Sequence, residues 1–240
     1  MTKYFYLGAS MPALRFGEMP LVTFEALVHA YGLNLKKSDW SEFSKWREAL
    51  DIENLKKLWL DESIDRRGNL DKEDLEERII TMSELPQVAL DFLHNFDGDD
   101  RTAHFPELLS NYLKEMGKSE GFIGEYFRFE KQLKLVLAAY RAKRDSADLM
   151  KVLMFEDLSD HLVQQLFAQK DVAHFEMPTE FTELGDLLRL ASDDPIKQHL
   201  AVMQYRFEWC AEKIQERQFS IDWLIGYAIM LKQCEESLVA

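Results

Sequence analysis

Apolar residues recur at helical spacing through much of the second half of the chain. From residue 121 to residue 144 they follow alternating steps of four and three, which places them on one face of an α-helix. The residues with this spacing are Phe122, Tyr126, Phe129, Leu133, Val136 and Tyr140. The pattern predicts one long core-facing helix here, a second over residues 149–167, and a short third after Pro178.

The boundaries of the last two helices can be predicted from capping residues. Asp194 is placed to cap a helix that has Pro195 at its first position, where the missing N–H of proline has no cost. Apolar residues then recur at helical spacing as far as Ile214. Ser220 is the expected N-cap of a final helix that begins at about Ile221.

The first half of the chain is less regular. Turn-forming residues indicate loops around Gly68 and Gly98, and few segments alternate with a period of two. Short helices are predicted over residues 24–31, 38–50, 52–60, 70–82, 88–94 and 105–116. The sequence therefore predicts an all-α protein, built as a multi-helix bundle or a funnel-like array.

The division into domains leaves alternatives open. Three of the ten glycines fall within residues 116–124, which is typical either of a hinge or of a tight turn between helices. A hinge would separate an N-terminal lobe, 1–116, from a C-terminal lobe, 117–240. One continuous domain is the other interpretation.

Charge and composition exclude some classes of function. The 240 residues carry a net charge of −14, which disfavours nucleic acid because a phosphate backbone requires clustered Lys and Arg. The longest apolar run, residues 223–231, is well short of a membrane span. The opening residues lack the pattern of a secretory signal. Cys210 and Cys234 are expected to be free, buried thiols, and the protein is expected to be cytoplasmic.

One short motif ends like a phosphate-binding loop. Residues 117–119 read Gly-Lys-Ser, but Tyr112 stands where the first glycine of that loop should be, and a helix precedes it instead of a strand. The preferred interpretation is a helix end, with Gly117 as its cap and Ser119 opening the next helix.

Two acidic stretches suggest calcium-binding loops but lack the residues that such a loop needs at fixed positions. A calcium loop needs glycine at position six and glutamate at position twelve, and in the loop that starts at Asp97 these positions hold Thr102 and Leu108. The stretch from Asp61 has its glycine at position eight. The six histidines show no zinc-binding spacing. The sequence therefore predicts no catalytic, cofactor-binding or metal-binding residue.

The opening segment carries a resemblance to a known family. Residues 4–27, YFYLGASMPALRFGEMPLVTFEAL, resemble an uncharacterised bacterial family that looks like the counterpart of the rotor-coupling C-subunit (d-subunit in eukaryotes) of V-type ATPases. Two helices are similar to that rotor-coupling protein as well. They contribute Glu130, Leu133, Leu137, Arg141 and Arg144 from the long helix, and Tyr227 from the closing helix.

The resemblance implies a mechanical function. The rotor-coupling protein is an all-helical funnel that joins the central shaft of the ATPase to the membrane rotor ring, which moves H⁺ or Na⁺. The implied partners are the shaft proteins and the ring, and the implied location is the cytoplasmic face of the inner membrane, held there by protein contacts. The opening segment is then expected to be buried against the terminal helices. In isolation the protein could dimerise to cover exposed apolar patches.

Two other classes of function fit the same sequence. A helical adaptor or regulator unrelated to the ATPase shares every feature except the opening segment. An enzyme with a dispersed site near residues 116–124 would need a closed apolar pocket lined by acids with perturbed pKa values.

Overall fold

A computed structural model of the chain describes residues 3–172 and 174–239. These residues form α-helices and two short 3-10 turns, at Thr179–Phe181 and Gln215–Arg217, and no strand occurs among them. The helices are α1 Phe5–Ser10, α2 Phe24–Asn34, α3 Lys37–Trp59, α4 Lys72–Thr81, α5 Gln87–Asn95, α6 Asp99–Met116, α7 Gly121–Arg144, α8 Leu149–Leu153, α9 His161–Ala168, α10 Thr182–Ala191, α11 Pro195–Ile214 and α12 Ile221–Ser237. The prediction of an all-α fold is confirmed.

Both predicted N-caps in the last two helices are confirmed. The side chain of Asp194 accepts hydrogen bonds from the backbone N–H groups of Ile196 and Lys197, and Oγ of Ser220 accepts one from the N–H of Trp223. These bonds satisfy amide groups that have no partner within the first turn of a helix.

Three predicted boundaries were wrong. The two helices predicted over 38–60 are one continuous helix, α3, and the polar residue in its middle, Asp51, is buried and accepts bonds from a neighbouring loop. The helix predicted over 149–167 is divided into α8 and α9, because Asp160 caps a new start. Helix α6 begins at Asp99, six residues before the predicted start, and runs through Pro106.

Within the glycine-rich stretch 116–124, residues 117–120 form a tight turn between α6 and α7. The N–H of Gly117 donates to the carbonyl of Leu113, and Arg128 donates to the carbonyl of Gly117. A Cβ atom at Gly124 would overlap the carbonyl oxygen of Ser119. Helix α7 begins after Glu120, so the expectation that Ser119 opens it was wrong. Buried residues on both sides of the turn belong to one hydrophobic cluster, and the division into lobes 1–116 and 117–240 stays a prediction.

Helix α12 lies at the centre of the packing. It is apolar around most of its circumference, which is typical of a helix enclosed by others, and Leu224, Ile225, Ala228, Ile229 and Leu231 are all buried. It packs against α2, α3, α7 and most extensively α11. No helix in the described part of the chain combines the length and the apolar character that a membrane span needs.

The opening segment, residues 4–24, lies along α12 and runs in the same direction. The N–H of Tyr4 donates to the carbonyl of Phe219 at 2.6 Å, and the hydroxyl of Tyr227 donates to the carbonyl of Pro12 at 2.8 Å. At its far end, the N–H of Phe24 donates to the carboxylate of Glu235 at 2.7 Å. The segment packs against the terminal helices as expected, but the expectation that it is buried there was right only for Tyr4, Leu7, Gly8 and Phe24.

Close packing at the start of the opening segment requires Gly8. A Cβ atom there would overlap the ring of Phe219, which follows the end of α11 in a left-handed backbone conformation (φ 62°). The ring of Phe5 packs on the same phenylalanine, with centroids 5.4 Å apart.

We therefore predict opposite effects for two glycine-to-alanine substitutions within helices. Gly8→Ala should lower the free energy of unfolding by about 1–3 kcal/mol, because Phe219 must move. Gly32→Ala, in the exposed part of α2 where a Cβ meets only ordinary contacts, should raise it by about 0.5–1 kcal/mol, because alanine is the better helix former. Urea denaturation of both variants measures this. Equal effects would contradict the packing assigned to Gly8.

Candidate functional site

The main cleft of the molecule opens between α3, α7, α11 and α12. Its volume is about 870 Å³, which lies within the range of ligand-binding clefts. Apolar side chains, among them Trp46, Leu50, Phe127 and Met203, form part of its lining, and charged side chains from α3, α7, α11 and α12 form the rest.

One group of ion pairs crosses the cleft from α3 through α7 to α11. Arg206 on α11 donates two hydrogen bonds to the carboxylate of Glu130 on α7, through Nε and Nη2, both at 2.8 Å. Nζ of Lys134 lies 3.4 Å from Glu130 and 2.8 Å from Glu53 on α3. Glu130 is buried, so the two-point bond from Arg206 satisfies both of its oxygens inside the protein.

The protonation states of this group follow from its geometry. Burial raises the pKa of Glu130, but the attraction of Arg206 and Lys134 outweighs it and brings the value to about 2. The pKa of Glu53 is also lowered, since Lys134 outweighs burial. The pKa of Lys134 is raised, because the attraction of Glu53 and Glu130 outweighs burial. Both acids are therefore ionised at neutral pH and the lysine is protonated.

A second group of ion pairs joins the loop before α4 to the end of α12. Arg67 donates to Asp65 at 2.8 Å and to Glu236 at 2.6 Å, and it lies 3.5 Å from Glu235. Lys232 donates to both oxygens of Glu236 at 2.7 Å. This loop is thus fixed to the last helix by charge-assisted hydrogen bonds.

A buried acid with a raised pKa, Asp51, lies outside the cleft. Burial raises the pKa of Asp51 to about 6, against the opposing effect of the N–H groups of Leu70 and Asn69 that donate to it. Asp51 is buried and Asn54 beside it holds the backbone of Asp65 with two hydrogen bonds. Through these contacts Asp51 helps to hold the loop before α4 in place.

Of the residues singled out in the sequence, Tyr126, Glu130 and Pro195 line this cleft, and the candidates from the loop motifs do not. Tyr112 is buried and donates to Glu48, and Lys118 pairs with Glu115 on the surface. Asp97 pairs with Arg101. Among the described residues, no three His, Cys, Asp or Glu side chains meet in a metal-binding arrangement. Cys210 and Cys234 are free and buried, as predicted.

Sequence reasoning missed most of the cleft residues. The local signals of ion pairs are two spacings of one helical turn, Glu130 with Lys134 and Lys232 with Glu236. The other partners of Glu130 and Lys134, Arg206 and Glu53, are more than seventy residues away in the chain. Charges at that separation cannot be paired from a single sequence.

The arrangement favours ion pairing and hydrogen bonding over proton transfer. Each acid of the cleft with a shifted pKa is held ionised, whereas a general acid needs a pKa close to the working pH. The fold and cleft therefore define an all-helical protein with a charged, partly apolar cleft.

The chain belongs to the family described as "Protein of unknown function (DUF2764)", whose model matches residues 1–240. It is 31% identical to an uncharacterised protein of Chlamydia pneumoniae over 78% of this chain and 74% of that one. It is 27% identical to an uncharacterised protein of Chlamydia trachomatis and 25% identical to one of Chlamydia muridarum, each over 94% of this chain and 88% of the relative. No solved structure matches.

The resemblance to the rotor-coupling family of V-type ATPases was wrong. The family that matches the whole chain is a different one, and none of these relatives is described as part of an ATPase. Part of the apparent similarity came from residues that are simply buried in the core. Leu133 and Leu137 are buried core residues of α7, and amphipathic helices of unrelated proteins share such residues.

Removing one partner of the Glu130–Arg206 pair should destabilise the protein more than replacing both partners with apolar residues. Arg206→Met leaves a buried carboxylate with only Lys134 and should lower the free energy of unfolding by about 3–5 kcal/mol. Glu130→Met together with Arg206→Met should cost clearly less, because no unpaired charge stays buried. Chemical denaturation of both variants measures the difference. A loss in the double variant as large as that in Arg206→Met, or larger, would contradict the pairing.

Acid should remove the stability that Glu130 contributes. Its pKa in the folded protein, about 2, lies below the unfolded value of 4.5, so this stability is complete above pH 4.5 and is lost as the pH falls towards 2. The full loss corresponds to about 3 kcal/mol. Urea denaturation across this pH range should show a smaller loss in Glu130→Gln than in the unsubstituted protein. Identical losses would contradict the assignment.

Proposed function

We propose that this protein acts by binding other proteins rather than by transforming a substrate, as a helical coupling or adaptor protein. The observation that carries the proposal is the opening segment. It is fixed along α12 by hydrogen bonds at Tyr4, Pro12 and Phe24, yet it turns large apolar side chains outwards. Tyr6 is 96% exposed, and Phe5, Met19 and Leu21 are all more than half exposed.

A fixed segment with exposed aromatic side chains is well suited to protein binding. Interfaces are enriched in aromatic residues and Met, and clustered apolar exposure on a soluble protein commonly marks a binding surface. Because the backbone is already held in place, little conformational entropy would be lost when a partner binds.

The assembly that we propose to test first is the central rotor of a V-type ATPase. There the protein would join the central shaft to the membrane ring, without catalysis, at the cytoplasmic face of the membrane. This choice of partner rests on the exposed opening segment and the net charge of −14, which suits a basic partner surface. It does not rest on membership of the rotor-coupling family.

Affinity capture of the full chain from its native membranes, after gentle detergent extraction, tests the proposal. We expect the shaft, ring and catalytic proteins of the ATPase to be recovered in fixed ratio, with recovery falling as salt is raised. If other proteins are recovered in a fixed ratio while the ATPase stays assembled, the rotor role is wrong and the adaptor role stands. If no protein is recovered in a fixed ratio, the binding role is wrong as well.

Tyr6→Asp should lower the recovery of partners at least severalfold, because it replaces the most exposed aromatic side chain of the opening segment with a charge. Its thermal unfolding should not change, since substitutions at exposed positions cost little. Leu190→Asp on α10, where the leucine is 82% exposed, is the matched control and should leave recovery unchanged. Quantitative mass spectrometry of the captured proteins measures this. Equal recovery by the two variants would exclude the opening segment as the binding surface.

A further inference from the structure

A second groove, the aromatic groove, lies between α7, α11 and the segment that opens α10. Its volume is about 780 Å³, which lies within the range of ligand-binding clefts. Four aromatic side chains line it: Phe129, Phe181, Tyr205 and Trp209. The rings of Trp209 and Phe129 stack with their centroids 4.1 Å apart, and Trp209 is partly exposed. An aromatic surface is therefore accessible in this groove.

The charges around the aromatic groove do not balance. Among the described residues, five glutamates and two cations line it. Arg217, from outside the lining, bonds to one of the glutamates and is shared with Asp222. Five carboxylates against these three cations leave a formal excess of two negative charges, whereas four carboxylates and four cations cancel in the main cleft. The glutamates are Glu125, Glu180, Glu183, Glu208 and Glu212, and the lining cations are Arg128 and Lys213.

Three of these glutamates form no ion pair within residues 3–172 and 174–239, since the pairs of the groove use the other two. They are Glu180, Glu183 and Glu208, and all three are exposed. The negative charge converges on one side chain of the lining. Burial raises the pKa of Tyr205 to about 12, and the charges of Glu183 on α10 and Glu212 on α11 add to this effect.

Aromatic rings and free carboxylates together recognise cationic side chains. A carboxylate pairs with the charged group, and an aromatic ring attracts both the cation and the apolar stem that carries it. The groove already holds one cation in this way. Nζ of Lys213 lies 3.0 Å from the carboxylate of Glu212 and 5.9 Å from the centroid of the Trp209 ring. The glutamates without a cation offer a partner the same chemistry.

We propose that the aromatic groove binds a basic segment of a partner protein. Arginine or lysine side chains of this segment pair with Glu180, Glu183 and Glu208, and their apolar stems pack on the aromatic lining. The excess negative charge of the groove favours such a segment over a neutral or acidic one. The inference rests on the proposed binding function and adds a second surface to it.

The test is a titration of the purified full chain, with its five tryptophans labelled with fluorine and followed by ¹⁹F NMR. The variant Trp209→Phe assigns the Trp209 signal. The probe is the blocked peptide acetyl-Lys-Leu-Arg-Lys-Leu-Arg-amide, and the control peptide has the neutral analogues acetyllysine and citrulline in place of lysine and arginine. We expect a saturable shift of the Trp209 signal with the basic peptide, and affinity at least about tenfold weaker for the neutral peptide. Equal affinities, or no saturable shift, would overturn the proposal.

Two double variants test whether the groove itself is responsible. Glu183→Gln with Glu208→Gln should lower the affinity for the basic peptide at least about tenfold. Glu73→Gln with Glu77→Gln removes the same charge from α4, outside the groove, and should change the affinity less than about twofold. All four glutamates are exposed, so neither double variant should change the unfolding temperature appreciably. Equal losses of affinity would show that the peptide responds to net charge alone, and the proposal would be wrong.

Spermidine separates a protein segment from a small free cation. It carries positive charge without the apolar side chains of the peptide, so we expect it to bind at least about tenfold more weakly. Binding as tight as that of the peptide would show that the groove recognises a small molecule, and the assignment to a protein segment would be wrong.

One variant separates this inference from the function proposed for the opening segment. Tyr6 lies outside the aromatic groove, so Tyr6→Asp should leave the affinity for the basic peptide unchanged. Failure of the peptide titration and failure of the capture experiment can therefore be told apart. A large loss of peptide affinity in Tyr6→Asp would place the peptide on the opening segment and overturn the assignment to the groove.

Discussion

The burial of the last helix is the constraint on which the rest of this fold depends. Helix α12 is apolar around most of its circumference, so it is stable only when other elements cover it on several sides. Helices α2, α3, α7 and α11 cover most of it, and the opening segment covers the remaining side. The two ends of the chain are therefore joined in one packing unit, and the opening segment gains a fixed conformation from the helix that it covers.

Placing charged residues around that centre has an energetic cost, which their geometry offsets. Removing a carboxylate from water is expensive, and a partner repays the cost only with close, directed hydrogen bonds. Arg206 meets Glu130 with two such bonds, and Lys134 connects Glu130 to Glu53. Gln233 is the exception, since its buried oxygen has no partner among the described residues. The cleft therefore contains closely paired charges together with one buried acceptor that has no hydrogen bond among the described residues.

The two surfaces considered for function differ in kind. The opening segment offers exposed aromatic and aliphatic side chains on a fixed backbone, which suits a broad protein interface. The cleft is a concave site lined by paired charges and apolar side chains. Family membership places the chain beside relatives described only as uncharacterised, so the functional argument depends on these physical properties.

Local sequence was enough to predict the helical class, most helix positions, the caps at Asp194 and Ser220, and the free thiols, because each depends on spacing or composition. It was not enough to predict that α3 continues through Asp51, since the loop that satisfies this carboxylate comes eighteen residues later. The cleft likewise exists only in the folded chain. Glu130 meets Arg206, and Lys134 meets Glu53, because tertiary packing brings distant helices within hydrogen-bonding distance, and local sequence carries no record of such pairings.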